Sequence, residues 1–241
     1  MLLLNPMNNT DNIIHLDSRL SAAASFVRKD SVAADIGTDH AYLPIYLLQS
    51  GISKAAVASD VNRGPLDRAK ADAAIYGMGD NLSFCLSDGL RGVDLEGLGV
   101  TDIIICGMGG ELISRIVGES EYTRKSGVRL ILQPMTAADD LRAFLDEAGF
   151  AVIDEKLASA AGKTYCCICA EYDGIKRTST PAELLLGKKN IEKNEPLFAV
   201  YSAGILKKLD TKINGMKKGG LDCSLEEACR AEIASILEDL K

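Results

Sequence analysis

Four points in the chain gather the residue types that could do chemistry: Asp35-Ile36-Gly37-Thr38-Asp39-His40, Asp60, Asp88-Gly89 and Gly107-Met108-Gly109-Gly110. Carboxylates accept hydrogen bonds from hydroxyls, amines and ammonium groups, and they repel phosphates. Glycines allow close approach to the backbone and adopt conformations closed to other residues. The spacing excludes two common phosphate sites. After Gly37 come Thr38, Asp39 and His40, so no G-x-G-x-x-G turn is available for a pyrophosphate. The G-x-x-x-x-G-K-[ST] loop that cradles nucleoside triphosphates does not occur. A ligand with hydroxyl, amino and cationic groups but no phosphate fits this set, and S-adenosylmethionine (SAM) has that profile. Gly37 would admit its methionine part with Asp35 near the ammonium, Asp60 would accept both ribose hydroxyls, and Asp88 would accept from the adenine amino group. Singly, each Asp or Gly is an ordinary turn signal; their recurrence at successive places is what points to one site. His40 is one of two histidines. It serves either as a helix-start or packing residue or, beside Asp39, to orient a target group or relay a proton.

These residues need a frame that brings them to one edge. Short apolar runs at 31–36, 55–59, 82–86, 102–106 and 129–132 end at or just before them. Helical patterns alternate with the runs: Asp17 to about Lys29 with Asp17 as cap, Tyr42 to Ser50, a segment with Pro65 in its first turn and Gly77 past its end, and Ala137 to Ala148 closed by Gly149. Such alternation builds βαβ units and a parallel sheet covered on both faces, whose ligands bind beyond the carboxyl ends of the strands. After residue 150 the rhythm changes. Phe150 to Leu157 and Lys163 to Glu171 are strand-like, joined by Ser159-Ala160-Ala161-Gly162, and should pair antiparallel. Cys166-Cys167-x-Cys169 suggests metal, but on a strand Cys166 faces away from the other two and no second ligand pair follows; we expect no metal.

The chain is divided here into residues 1–178 and a helical region, 179–241. Thr180-Pro181-Ala182-Glu183 reads as a capping box. Phe198, Tyr201, Ile205, Leu209, Ile213 and Met216 then form an apolar stripe, Gly219-Gly220 breaks it, and Ser224-Leu225-Glu226-Glu227 reads as a second capping box. It opens a stripe of Leu225, Cys229, Ile233, Ile236 and Leu240, so an antiparallel helical hairpin is expected.

Of 241 residues, 47% are apolar and 25% charged, which describes an ordinary globular chain able to bury a large core. The net charge of −7 argues at first against a nucleic-acid partner. That average hides a segregation. Residues 187–218 hold eight lysines, among them Lys207, Lys208 and Lys212, against three acidic groups, whereas 219–241 hold two basic and six acidic ones. A lysine-rich helix is a solvated face or a phosphate track. The only N-terminal apolar run, Leu2-Leu3-Leu4, falls far short of the ~20 residues of a membrane helix, and no basic segment precedes it. Seven cysteines, an odd number set mostly in apolar stretches, suit free thiols in a reducing compartment, so a cytoplasmic protein is expected.

The sequence resembles the TrmK family of bacterial tRNA (adenine-22-N1)-methyltransferases. The matching stretches are Leu16-Asp17-Ser18-Arg19-Leu20, Ala34 through Pro44, Gly64-Pro65, Asp88-Gly89-Leu90, Gly107-Met108-Gly109-Gly110, Leu132-Gln133-Pro134 and Gly162-Lys163-x-Tyr165. The resemblance implies an α/β fold, a Rossmann-like seven-stranded class I SAM-dependent methyltransferase domain followed by a C-terminal coiled-coil hairpin. It implies an enzyme that methylates N1 of an adenine in the D-arm region of tRNA. Cofactor contacts are implied for Asp35, Gly37, Thr38, Asp39, His40, Asp60, Asp88, Gly89, Gly107, Met108 and Gly109, with Asp39 and His40 as catalytic residues. Gln133, Lys163 and Tyr165, with Lys207, Lys208 and Lys212, are expected on the tRNA side, and the chain is expected to act as a monomer. Three positions depart from the family's pattern: Asp60 stands in place of Glu, Met135 in place of Asn, and Ala160-Ala161 in place of acidic residues.

The chemistry is compatible. Adenine N1 carries an in-plane lone pair and attacks a sulfonium methyl without first losing a proton, so positioning is the main task. The [DNS]-P-P-[YF] loop common in enzymes that methylate exocyclic amines is replaced by Gly107-Met108-Gly109-Gly110. The target base must be unstacked to enter. Two alternatives remain at this point: a SAM enzyme acting on a small molecule or protein, and a non-catalytic SAM- or RNA-binding module.

Overall fold

Strand β1 (Ser31–Ile36) is buried at every position, as a central strand covered on both faces must be. The computed structural model describes residues 13–240, and the Leu2-Leu3-Leu4 run lies outside them. Around β1 the sheet contains β2 (Ser53–Asp60), β3 (Leu82–Leu86), β4 (Asp102–Gly109), β5 (Arg129–Thr136), β6 (Phe150–Ala160) and β7 (Lys163–Tyr172), in the order β3-β2-β1-β4-β5-β7-β6. The pairings from β3 across to β5 are parallel. β7 runs antiparallel between β5 and β6, so β6 points the same way as β5. The carboxyl ends of β1 to β6 and the start of β7 therefore share one edge. The chain reverses its direction of travel across the sheet between β1 and β4, and the ligand crevice of such folds opens at that point.

Alternate residues of each strand face opposite layers. Val32, Ala34, Ile103, Ile105, Leu130, Leu132 and Cys166 join one buried cluster, while Ala33, Ile104, Ile131 and Cys167 join the other. The opposed Cys166 and Cys167 match the strand expectation, and no metal-holding cluster occurs among the described residues. Helices α1 (Ser18–Ala24), α2 (Tyr42–Gln49) and α3 (Arg63–Ile75) cover the second face. The first is covered by α4 (Gly110–Gly118) and α5 (Ala138–Ala148) and by the C-terminal helices α6 (Pro181–Leu186), α7 (Lys188–Lys193), α8 (Pro196–Lys218) and α9 (Ser224–Asp239). Ala182, Leu186, Phe198, Leu209, Ile213, Cys229 and Ile233 belong to the same cluster as the sheet residues. Among the described residues no helix is long and apolar enough to cross a membrane.

Several expectations need correction. α1 is capped by Asp17 but ends at Ala24 rather than Lys29. Phe26 and Val27 tighten into turns on the Ala23 and Ala24 carbonyls, and Arg28 turns its backbone and guanidinium onto buried Asp102. β4 continues through Gly107 and Met108 to Gly109, so the expected loop is an irregular strand end that leads directly into α4, a helix absent from the sequence-based assignment. The link between β6 and β7 narrows to Ala161-Gly162, at φ 49° and 73°, the paired positive values of a tight hairpin. The capping box at Thr180 forms, but the one at Ser224 does not: Ser224 is already helical, and Asp222 accepts from its backbone N–H at 3.0 Å and from its hydroxyl. Leu225 leaves the expected stripe and is 84% exposed, so α9 packs through Cys229 and Ile233.

Candidate active site

The loop after β1 folds back on β2: Gly37 and Thr38 donate their backbone N–H groups to the Ser59 carbonyl at 2.8 and 2.9 Å. Gly37 sits at φ +80°, and a Cβ there would collide with the Met108 methyl that lies against it. Asp35, 8% exposed, stands one residue before the end of β1 with no cationic partner among the described residues; Thr38 supplies its hydrogen bond. Burial pushes its carboxyl up to about 6, against the lowering effect of Thr38. Asp60 accepts from the Asn62 backbone at 2.7 Å and carries no ion pair among the described residues, and exposed Val61 follows it at the rim. Asp88 lies within 3.5 Å of Arg115. A buried unpaired carboxylate, a half-buried one and a glycine cradle fit the ammonium, diol and methionine chain of SAM. Asp35 and Asp60 would hold the two polar ends, Asp88 and Gly89 the adenine side, and Gly37 with Gly107–Gly109 the middle.

The raised Asp35 carboxyl gives a prediction. Its folded value lies above its unfolded value, so the neutral form predominates in the free protein below about pH 6, and this part of the stability is lost as pH rises from about 4 to 6. An ammonium ligand needs the ionised form. SAM affinity should therefore rise about tenfold between pH 5 and 7, with proton release on binding, and Asp35→Asn should flatten the profile. Calorimetry in buffers of different ionisation enthalpy measures both effects.

Asp39 and His40, expected as catalytic residues, turn toward α3. Asp39 pairs with Arg68, which holds its carboxyl below the usual range. His40 places Nδ1 2.6 Å from the Asp72 carboxylate and stacks on Tyr42 with ring centroids 4.9 Å apart. Sequence reasoning misses Arg68 and Asp72, although their i,i+4 spacing marks one helix face. These contacts brace the loop from outside.

On the other side of the crevice, Gly107 at φ +80° donates its N–H to Gln133 Oε1 at 3.2 Å. Gln133, expected to touch substrate, is instead fully buried, and its amide is engaged by protein on both sides: Nε2 donates to the Pro134 carbonyl at 2.8 Å, and Oε1 also accepts from Arg19 at 2.7 Å. Gly110 has no room for a side chain, since a Cβ would strike the Ala137 carbonyl. Beyond Pro134 a groove of about 740 Å³ opens between the sheet edge and the hairpin, lined by Met135, Tyr165, Lys208 and Lys212 together with Asp139, Asp140, Glu226 and Glu232. Lys163 begins β7 at the same edge, but neither it nor Lys207 lines the groove.

Known proteins share this geometry. Residues 16–168 match a family model described as a methyltransferase domain. The tRNA (adenine(22)-N(1))-methyltransferase of Bacillus subtilis is 37% identical over 186 residues, covering 73% of this chain and 75% of that one. The chain belongs to the TrmK family of tRNA methyltransferases. A Streptococcus pneumoniae protein assigned as a tRNA (m1A22) methyltransferase, solved in complex with S-adenosyl-L-methionine, superposes with a TM-score of 0.80 at 30% identity, covering 92% of this chain and 100% of that one. The crystal structure of the B. subtilis M1A22 tRNA methyltransferase TrmK gives a TM-score of 0.77 at 28% identity over 93% and 97% of the two chains. The family's methyltransferase fold and SAM cofactor are thus those expected from the carboxylate row.

The family's substrate side is less direct in this chain. Of the lysines on α7 and α8, Lys189 pairs with Glu192, Lys193 with Asp154, Lys212 with Glu226 and Lys217 with Glu227, all within 2.8 Å. The opposite charges of α8 and α9 thus meet across the hairpin at Lys212–Glu226 and Lys217–Glu227, around its apolar contacts. Lys207, Lys208 and Lys218 carry no ion pair among the described residues.

Proposed function

We infer that this chain is a SAM-dependent enzyme that transfers a methyl group to N1 of adenine 22 in tRNA. The observation that carries this is the row of carboxylates at the carboxyl ends of β1, β2 and β3, of which Asp35 and Asp60 carry no ion pair among the described residues, facing the Gly107-Met108-Gly109 strand end in a chain of the TrmK family. When bound, SAM supplies an electrophilic sulfonium methyl. Asp35 and Asp60 hold its polar ends. The glycine backbone at 107–109 leaves room for a flat base, and buried Gln133 fixes that backbone through the Gly107 N–H. Adenine N1 attacks in line and no proton is removed, so no general base is needed. Asp39, paired with Arg68, and His40, bonded to Asp72, lock the cofactor loop onto α3. Monomeric action and cytoplasmic residence complete the proposal. A site built from one chain supports the first, and seven cysteines without disulfides support the second.

Incubation of unmodified tRNA with labelled SAM, followed by nucleoside analysis, tests the reading. Label is expected in 1-methyladenosine; label in N6-methyladenosine, or none in tRNA, overturns it. The hairpin gives a second expectation. Reversing charge at Lys207, Lys208 and Lys218 should weaken tRNA binding and reduce its salt slope by about one for each phosphate that is no longer neutralised, while SAM affinity holds. Reversal at Lys212 should instead lower thermal stability, because it sets two carboxylates against each other at Glu226.

A further inference from the structure

The Asp17-Ser18-Arg19-Leu20 segment caps and opens α1, and the fold delivers it to the reacting edge. The Ser18 hydroxyl donates to the Ser159 carbonyl near the carboxyl end of β6, whereas Arg28 reaches Asp102 at the opposite end of β4. α1 therefore runs from the crevice edge to the far edge of the sheet, with Arg19 at the crevice. Its Nη1 donates to Gln133 Oε1 at 2.7 Å, and Nη2 lies 3.6 Å from Asp17. A Cβ built on Gly107 would meet Nη1 at 3.8 Å, so the guanidinium borders the strand end where the base must enter. Gln133 cannot rotate away, because it is fully buried and its Nε2 is tied to Pro134. Asp17 is likewise fixed by its cap bond to Leu20.

We propose that Arg19 is a positioning residue that binds a backbone phosphate of the target nucleotide, an assignment that rests on the tRNA reading above. Three observations carry it. The guanidinium has five donors, and its protein contacts leave several unused on a side chain that is 20% exposed. Of the other arginines near this edge, Arg68 pairs with Asp39, and Arg91 and Arg115 with Asp88 and Glu119; Arg63 carries no ion pair among the described residues but opens α3 after β2, two strands away from the Gly107 strand end. Asp35 and Asp60, which carry no ion pair among the described residues, repel a polyanion, so a cation beside the strand end is needed to hold the nucleotide at the reacting methyl. Arg19, held by a neutral amide and only loosely by Asp17, keeps its charge available and its fork preset for the two oxygens of a phosphodiester.

The test uses Arg19→Gln and Arg19→Lys in the full chain. Arg19→Gln keeps a donor for Gln133 and removes the charge. The expected result is a tRNA affinity about tenfold weaker near 0.1 M salt, with the log–log salt slope reduced by about 0.7–0.9. SAM affinity by calorimetry stays unchanged, and Arg19→Lys restores the slope more fully than the affinity. An unchanged slope with a lower kcat overturns the proposal and leaves Arg19 as a support for Gln133 and Gly107. Weakened SAM binding overturns it in favour of a cofactor role. If the wild-type chain binds SAM but does not methylate tRNA, the parent reading fails, whatever Arg19 does.

Discussion

Replacing Glu155 by alanine is expected to cost about 3–5 kcal/mol of stability, the range for stranding one partner of a buried ion pair. Arg142 and Glu155 are 5% and 1% exposed and meet at 2.7 Å. Burial opposes the Arg142 charge, but Glu155 and neighbouring acceptors outweigh burial and hold the guanidinium protonated. Arg142 also donates to the Leu184 carbonyl at 2.6 Å, where α6 ends, and Glu155 accepts from the Lys189 backbone at 3.2 Å, where α7 begins. Between those helices Gly187, at φ +85°, passes so close to the carboxylate that a Cβ would overlap it. The pair thus pins the C-terminal helices to β6 and α5. Urea titration should show a lower midpoint at unchanged m, and melting should fall by roughly 6–20 °C. The double replacement Arg142→Met with Glu155→Met should cost much less, because no charge is left without a partner. An equal loss in the single and double variants would show that packing, not charge, holds the hairpin.

The second large effect is on the cofactor. Asp60→Ala should weaken SAM binding by about 100-fold or more, since two hydrogen bonds to a charged acceptor are each worth about 1.5–3 kcal/mol. Asp60 has no ion pair to lose among the described residues, and its protein contact is the Asn62 backbone, so stability should change little. Asp60→Asn keeps one acceptor and should fall between the two. Asp60→Glu, which keeps both carboxylate oxygens on a longer side chain, should retain most of the affinity. Titration of SAM with each variant, beside a melting curve, separates ligand loss from unfolding. Full SAM affinity in Asp60→Ala would move the diol site elsewhere along the edge.

The parts of this protein that are legible in advance share a property: their cause is local. Ser31–Ile36 and Leu82–Leu86 are readable to the residue, because a short apolar run between polar or glycine boundaries admits few other structures. The Thr180 capping box is readable because its partners are three residues apart. The Ser224 box fails although its letters are right, since Asp222 two residues earlier takes the role of acceptor. α4 escapes notice although its apolar positions repeat at helical spacing, because the glycines at both ends read as loop.

The functional site divides in the same way. The sequence alone determined the row Asp35, Asp60, Asp88, the glycines at 37 and 107–110, and their place at strand ends, and from these the cofactor's chemistry follows. Only the tertiary structure decided which charges remain available. Asp39 meets Arg68 and His40 meets Asp72 across the gap to α3. Lys212 and Lys217 are engaged by α9, and Gln133 is turned inward to hold both Gly107 and an arginine 114 residues earlier in the chain. Strand pleat and helical pitch repeat every two to four residues and can be read from neighbours. An ion pair depends on which distant segments the sheet order brings together, and no spacing in the sequence encodes that distance.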